Sequence, residues 1–294
     1  MSLSTSEPLL EKIVAALAPV GGVRAIVLGG SRGKGVQTAA SDYDIGLYYR
    51  GELDIAALER VARALDTPVE GRSYLSGATA RRSPTQPAAP LVTGIGGWGP
   101  WVDGGGWLTI DGQPVDILYR DAARVERVIG EVCEGRFECA YHYGHPHAFV
   151  STMYAGEVAT CRALHDPDGF VAGCKARLTP YPEALRAAAV ARFLDEARFF
   201  LAISHKAAAQ GDVTFVTGNL FRAEACLMQV LFAINREWLL NEKGALRLAD
   251  GFAVKPDGLK SRVEAAFDLS ADPARFEASL AGLSALAEEA AALA

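Results

Sequence analysis

A glycine turn followed about ten residues later by two spaced aspartates constrains this chain more than any other feature. The apolar run 23–28 ends at Gly29-Gly30-Ser31, and Asp42-Tyr43-Asp44 begins a second apolar run that continues to Tyr49. These runs predict two buried strands with a glycine turn after the first. Successive side chains of a strand point to opposite faces, so Asp42 and Asp44 share one face. The two carboxylates are therefore expected to converge.

The composition describes a folded chain. Its 294 residues are 50% hydrophobic and 22% charged, which is typical of globular proteins and leaves room for two domains. The formal net charge of -6 offers no general attraction to a polyanion, so we expect no nucleic-acid partner.

Cysteine usage and hydropathy indicate the compartment. The five cysteines are odd in number and never spaced as C-x-x-C, which argues against a disulfide framework and favours a reducing cytoplasm. Apolar runs stay well short of the ~20 residues needed to cross a bilayer, so we expect a soluble cytoplasmic protein without a membrane partner.

Helices and strands alternate in the first half of the sequence. An apolar stripe over residues 7–18 indicates an amphipathic helix, and a second helix is predicted at 54–65. Residues 107–110 and 115–119 are predicted strands joined by an Asp-Gly turn at Asp111-Gly112. The second of these strands carries a third carboxylate, Asp116.

Strand signals fade after about residue 121, and the second half is predicted to be helical. We expect helix 219–241 to be capped at Thr217 or Asn219, and we expect a break at 141–146. The predicted fold class is α+β: a catalytic domain with a small mixed β-sheet at 1–140, followed by an all-α helical bundle at 141–294. The predicted helices of the second half span 121–136, 148–161, 183–210, 219–241, 257–267 and 273–293.

Three aspartates near the ends of adjacent strands would repel one another in a cleft without a cation. Mg²⁺ favours one or two carboxylates together with phosphate oxygens and water, so Asp42, Asp44 and Asp116 are the candidate metal ligands. Two such ions can activate an attacking hydroxyl and stabilise a leaving pyrophosphate, which is the chemistry of nucleotidyl transfer.

The glycine turn is the candidate phosphate site. Gly30 lets the backbone approach phosphate, and the Ser31 hydroxyl can donate to a phosphate oxygen at the start of a short helix. Arg32 and Lys34 are close enough in sequence to add positive charge. The Walker and dinucleotide fingerprints are both absent from this turn, where Leu28 stands at the position of the first Walker glycine.

These residues resemble the DNA polymerase β-like nucleotidyltransferase superfamily. The pattern of that superfamily begins with an apolar residue and Gly-Gly or Gly-Ser. About ten residues later it continues with Asp-x-Asp, and a further acidic residue follows on a later strand. The corresponding residues here are Leu28–Ser31, Asp42–Asp44 and Asp116. The resemblance implies that Asp42 and Asp44 bind two Mg²⁺ ions and that Ser31 holds the triphosphate of ATP or another nucleoside triphosphate. It also implies that Asp116 binds the catalytic metal and helps to deprotonate the acceptor hydroxyl. The helical half is similar in layout to that of aminoglycoside nucleotidyltransferases.

Several residues outside this motif are candidates for the acceptor side or for the triphosphate. Glu224 lies on the apolar stripe of a predicted helix, where it is either a second base or the partner of an arginine such as Arg192 or Arg198. Lys243, just past that helix, either reaches triphosphate or caps the helix end.

His142, with His145 and His147, either lines the interdomain cleft, where one histidine could contact substrate, or belongs to a structural zinc site. Zinc usually needs four ligands at recognisable spacings and only Cys139 is near, so the sequence favours the cleft. Trp101 lies in the Gly/Trp-rich loop 76–106, which is either a substrate-facing flap or a segment pinned to the core by its tryptophans.

The leading functional hypothesis is a Mg²⁺-dependent enzyme that transfers a nucleoside monophosphate, AMP from ATP first of all, to a hydroxyl of a small molecule. One alternative is that the acceptor is a protein or an RNA, and the acidic net charge of the chain counts against RNA. Another is a non-catalytic, antitoxin-like regulator that binds nucleotide. A homodimer sharing one cleft is compatible with the sequence, which does not identify the acceptor or the nucleobase.

Overall fold

The computed structural model describes residues 8–38, 41–67, 89–267 and 273–294. They belong to two compact units. The first unit comprises the chain up to Arg127 together with Glu157–Ala176. The second unit comprises Val128–Gly156 and the chain from Arg177 onward. The predicted fold class, α+β followed by a helical region, is confirmed. No helix within these ranges is long and apolar enough to cross a bilayer.

A mixed five-stranded sheet forms the centre of the first unit, with the order β3-β4-β2-β1-β7. The parallel pair β2-β4 lies at its middle, and the other neighbouring strands run antiparallel. The strands are β1 (Val23–Leu28), β2 (Tyr43–Tyr49), β3 (Gly105–Ile110), β4 (Gln113–Asp121) and, after two strands of the second unit, β7 (Arg162–His165).

One face of this sheet is the apolar core of the first unit. It packs against α1 (Pro8–Leu17) and α3 (Ile55–Leu65), whose buried side chains include Ile13 and Leu58. α3 begins where predicted because the Asp54 carboxylate accepts a hydrogen bond from the Ala57 amide at 2.8 Å. The other helices that include residues of this unit are α2 (Gly30–Gly33), α4 (Ala122–Cys133), α5 (Thr152–Thr160) and α6 (Phe170–Arg177).

The hairpin between β3 and β4 forms as predicted. Asp111 and Gly112 both have positive φ, at 51° and 78°, which is the conformation that a two-residue hairpin turn requires. The register pairs Ile110 with Gln113, so the turn is as tight as the sequence indicates.

Two predictions about strands after residue 121 were wrong. The break expected at 141–146 is the turn of a hairpin between β5 (Cys139–His142) and β6 (His145–Val150), and β7 follows at the sheet edge. Strands of four to six residues offer too few positions for a period to stand out from the helical signal around them. Because β7 pairs with β1, residues beyond 140 contribute to the first unit, and the compact units differ from the expected division at 140/141.

The helices of the second unit pack mainly as an antiparallel pair with later helices beside it. The pair consists of α7 (Glu183–Ala209) and α8 (Val213–Ile234), and α9 (Ala245–Ala249), α10 (Leu259–Ala266) and α11 (Pro273–Ala292) follow. The predicted bounds of α8 were wrong at both ends. Its N-cap is Asp212, whereas Thr217 and Asn219 lie inside the helix and donate to carbonyls four residues earlier.

The start of α8 can be tested with two alanine substitutions. Asp212→Ala removes the carboxylate that accepts from the Phe215 amide, and we expect it to lower the free energy of unfolding by about 1 kcal/mol. Thr217→Ala is the matched control, because in a helix interior alanine is at least as favourable as threonine. Urea unfolding of both variants measures the difference. A larger loss for Thr217→Ala than for Asp212→Ala would place the cap where the sequence predicted it.

Candidate active site

Two of the three predicted carboxylates are brought together by strand register. On the adjacent parallel strands β2 and β4, Asp44 is the register partner of Asp116, and backbones so paired lie about 4.8 Å apart. The flanking residues, such as Ile45 and Ile117, are buried in the core. Asp44 and Asp116 are therefore half-buried on the opposite face of the sheet, side by side.

The glycine turn after β1 lies directly against Asp44. The Gly29 amide donates to the Asp44 carbonyl at 2.7 Å. Gly30 has φ +56°, and a Cβ atom built on it would overlap the Asp44 carboxylate. Only glycine combines that left-handed conformation with such a close approach, so the turn and the carboxylate form one compact site.

The electrostatic environment of Asp44 disfavours its charge. Burial, and then the negative charges of Asp42 and Glu157, raise the pKa of Asp44 to about 6, while the positive charge of Arg32 acts in the opposite direction. Asp42 itself is exposed and precedes β2 by one residue. A site that crowds carboxylates in this way is one to which a divalent cation would bind favourably, so the donors fit Mg²⁺.

Sequence reasoning missed two charged residues beside the carboxylates. Arg120 is buried on β4, four residues after Asp116 and on the same face. Its Nε and Nη2 atoms donate to both carboxylate oxygens of Glu157 at 2.7 and 2.6 Å, and its Nη1 donates to the Tyr119 carbonyl. The available signal was an arginine directly after the apolar run Ile117–Tyr119, near the end of β4, because a buried guanidinium needs a partner.

The candidate phosphate-binding residues differ in their surroundings. Ser31 is half-buried in α2, next to Gly30, and Lys34 is exposed. Arg32 donates from Nε and Nη2 to the Ser41 carbonyl at 3.1 and 2.9 Å, and its guanidinium lies 3.8 Å from the centre of the Tyr43 ring. Arg32 thus fastens the segment that leads into Asp42, which is a structural role that the sequence had not predicted.

The described part of the Gly/Trp-rich loop is attached to the sheet. The loop segment before residue 89 lies outside the described residues. Asp103 is buried and accepts from Arg124 at 2.8 Å and from the Asp121 amide at 3.2 Å, while Trp98 and Trp107 have ring centres 4.5 Å apart. Trp101 is half-buried beside them in sequence. These contacts favour the interpretation that the loop is pinned to the core.

The remaining predicted residues belong to the second unit. Burial and then the charge of Glu242 raise the pKa of Glu224 to about 7. The arginines considered as its partners bind elsewhere, Arg192 to Glu196 and Arg198 to Glu288. The alternative that one of these two arginines pairs with Glu224 was therefore wrong.

His142 and Lys243 also lie in this unit. His142 is buried in β5, where its Nδ1 accepts from the Gly144 amide at 3.0 Å. Lys243 is exposed and precedes α9, nine residues after the last residue of α8, so the expectation that it follows the end of that helix directly was wrong. The early end of α8 at Ile234 is the reason for this difference.

Comparison with known proteins gives only distant similarity. No protein-family model matches the chain, and no curated protein matches it. Among solved structures, the chain is similar to a nucleotidyltransferase-like protein from Exiguobacterium sibiricum 255-15 with a TM-score of 0.37 and 12% sequence identity. The similarity covers 97% of this chain and 75% of that chain. A likeness at this level establishes neither a shared fold nor a shared activity.

Substituting two of the left-handed glycines, Gly30 and Gly35, separates the effect of the close approach to Asp44 from the effect of backbone strain. Gly30 and Gly35 have φ +56° and +72°, and a Cβ at Gly35 would meet nothing within 4 Å. Gly35→Ala should cost about 1–2 kcal/mol of strain. Gly30→Ala should cost at least about 1 kcal/mol more, because it also displaces the Asp44 carboxylate. Urea unfolding monitored by circular dichroism measures both, and equal losses would contradict the packing of Gly30 on Asp44.

Replacing Asp44 by asparagine should change how stability depends on pH. Because the folded-state pKa of about 6 lies above the ordinary aspartate pKa of 3.8, folding takes up a proton between these values, and stability falls as pH rises. The Asp44→Asn variant should not show this loss of stability with rising pH. Without divalent metal, we expect the variant to gain on the order of 2 kcal/mol relative to wild type between pH 4 and pH 7. Chemical unfolding at both pH values measures the gain, and the exposed control Glu52→Gln should show none.

Proposed function

We propose that this protein is a Mg²⁺-dependent nucleotidyltransferase that moves a nucleoside monophosphate from a nucleoside triphosphate, ATP first of all, to a hydroxyl of a small molecule. One observation carries the proposal: Asp44 and Asp116 are register partners on adjacent parallel strands, with the Gly29-Gly30 turn packed on Asp44. Paired carboxylates beside a backbone turn without side chains suit a metal-bound triphosphate.

The carboxylates have distinct roles in this proposal. Asp42 and Asp44 hold the metal ions that accompany the triphosphate, and Asp116 holds the metal on the acceptor side. Bound Mg²⁺ would supply positive charge that lowers the pKa of the acceptor hydroxyl and stabilises the leaving pyrophosphate. Because burial and nearby negative charge raise the pKa of Asp44, the apo site would be partly protonated near pH 6, so metal binding should tighten as pH rises.

The reaction is an in-line displacement at the α-phosphorus. The acceptor oxygen forms a bond to phosphorus, the bond from phosphorus to the bridging oxygen breaks, and pyrophosphate leaves with that electron pair. Asp116 takes the proton of the acceptor hydroxyl and passes it to solvent. The Gly30 and Ser31 amides and the Ser31 hydroxyl donate to phosphate oxygens, with Lys34 adding positive charge.

The neighbouring charges support these roles. Arg120 neutralises Glu157, so that the fourth carboxylate near Asp44 is held in an ion pair and is not available as a metal ligand. Arg32 holds the segment before Asp42 through the Ser41 carbonyl.

For the acceptor side, we assign a role in hydroxyl positioning to Glu224, because its raised pKa of about 7 suits proton transfer at neutral pH. His142, Trp101 and Lys243 are further candidates for contact with acceptor or triphosphate.

The transfer of label from α-labelled ATP to an acceptor tests this function. Wild type should release pyrophosphate and form a nucleotidylated product with Mg²⁺ and an acceptor from a panel of aminoglycosides and cell extract, identified by mass spectrometry. Asp44→Asn and Asp116→Asn should reduce turnover roughly 10³-fold or more, because each removes a ligand of ions that supply several kcal/mol of charge stabilisation.

The control variant is Asp111→Asn, which removes an exposed carboxylate from the β3-β4 turn, where it binds only Lys12 among the described contacts. It should leave turnover unchanged. Undiminished pyrophosphate release by Asp116→Asn would remove the metal-site hypothesis. Binding of ATP without any transfer would favour the regulator, and label on protein or RNA would favour the alternative acceptors.

A further inference from the structure

Three side chains of types that bind metals converge in the second unit. His147 comes from β6, Glu196 from α7 and Cys226 from α8, and one ligand atom of each lies within 4.8 Å of the others. His147 and Cys226 are buried, and Glu196 is half-buried. These residues are 79 and 30 positions apart in the chain, so only the packed unit brings them together.

The spacing of the donor atoms suits a tetrahedral ion. The Cys226 Sγ lies 3.8 Å from His147 Nε2 and 3.9 Å from Glu196 Oε2. In a tetrahedral zinc site, with Zn–S bonds near 2.3 Å and Zn–N and Zn–O bonds near 2.1 Å, such donors are about 3.6 Å apart. These two separations are within a few tenths of an ångström of that value, and the His147 and Glu196 donors lie within 4.8 Å of each other, so closure of the side chains around an ion would complete the geometry.

The ring nitrogens of His147 make few hydrogen bonds with the described residues. Its Nδ1 atom is buried and has no hydrogen-bond partner among the described residues. Its Nε2 contact with the Cys226 sulfur, at 3.8 Å, is a weak interaction. A buried imidazole normally forms hydrogen bonds through its nitrogens. A cation at Nε2 would replace the weak sulfur contact with a strong bond.

The donors select the class of metal. Imidazole and thiolate suit Zn²⁺ and similar ions of intermediate softness, whereas Mg²⁺ and Ca²⁺ require oxygen ligands. The negative charges of Glu196 and of a Cys226 thiolate would balance a divalent ion. Arg192 binds the other oxygen of Glu196 at 2.8 Å, and its positive charge reduces the affinity without occupying Oε2.

We propose that His147, Glu196 and Cys226 form a structural Zn²⁺ site that fastens the β5-β6 hairpin to the pair of helices α7 and α8. The fourth ligand is water or the thiol of Cys139, which lies on β5 of the same hairpin. This site is separate in residues and in chemistry from the proposed Mg²⁺ site, so neither proposal depends on the other.

Metal titration of the full chain tests this site. After chelator treatment and removal of any affinity tag, wild type should bind one Zn²⁺ per chain, measured by mass spectrometry of the metal content, and excess Mg²⁺ should not displace it. Co²⁺ in place of Zn²⁺ should give the thiolate charge-transfer absorption of a tetrahedral site. Failure of wild type to bind Zn²⁺, or Co²⁺ binding without that absorption, would overturn the proposal.

Variants separate this cluster from adventitious binding. Cys226→Ala and Glu196→Gln should each weaken Zn²⁺ binding at least roughly tenfold, since each removes one of the ligands. Cys174→Ala, which removes a buried thiol of the first unit, should bind Zn²⁺ as wild type does. If Cys226→Ala fails to fold, the Glu196→Gln variant, at a half-buried position, decides whether the cluster binds Zn²⁺. Wild-type affinity in Glu196→Gln would contradict the proposed ligand set.

Discussion

The parallel pairing of β2 with β4 is the constraint on which the candidate active site depends. This pairing sets Asp44 beside Asp116 while their neighbours Ile45 and Ile117 enter the core. A shift of one residue in either strand would exchange its two faces, burying a carboxylate and exposing an isoleucine. The apolar packing of the sheet against α1 and α3 therefore holds the carboxylates in register, and the same burial that stabilises the first unit positions the site.

That arrangement has an electrostatic cost, which the surrounding residues reduce only in part. Burial and the charges of Asp42 and Glu157 disfavour the ionised form of Asp44, and Arg32 offsets some of this effect. Arg120 is bound to Glu157 through both of its carboxylate oxygens. In the apo protein, the charge of Asp44 opposes folding above its raised pKa, and a divalent cation would relieve the repulsion between the carboxylates. The crowding of carboxylates is thus the basis both of the proposed metal binding and of the reduced stability of the apo protein.

The second unit contains polar groups that its helical packing does not satisfy. Glu224 has a raised pKa, and His147 has a buried nitrogen without a partner among the described residues. Buried polar groups without a partner lower stability. We propose the acceptor as the ligand of Glu224, and for His147 a divalent ion of intermediate softness that binds its other ring nitrogen, Nε2, because only His147 is grouped with a thiol.

Local patterns in the sequence determined most of the first unit. The bounds of β1, the Asp-Gly hairpin and the alternation around Asp44 and Asp116 were predictable, because apolar periodicity and turn residues act over a few neighbouring positions. β7, the Arg120–Glu157 ion pair and the His147, Glu196 and Cys226 cluster were decided only by tertiary structure. Each joins residues far apart in the chain, and such contacts arise from packing, which leaves no spacing pattern in the sequence.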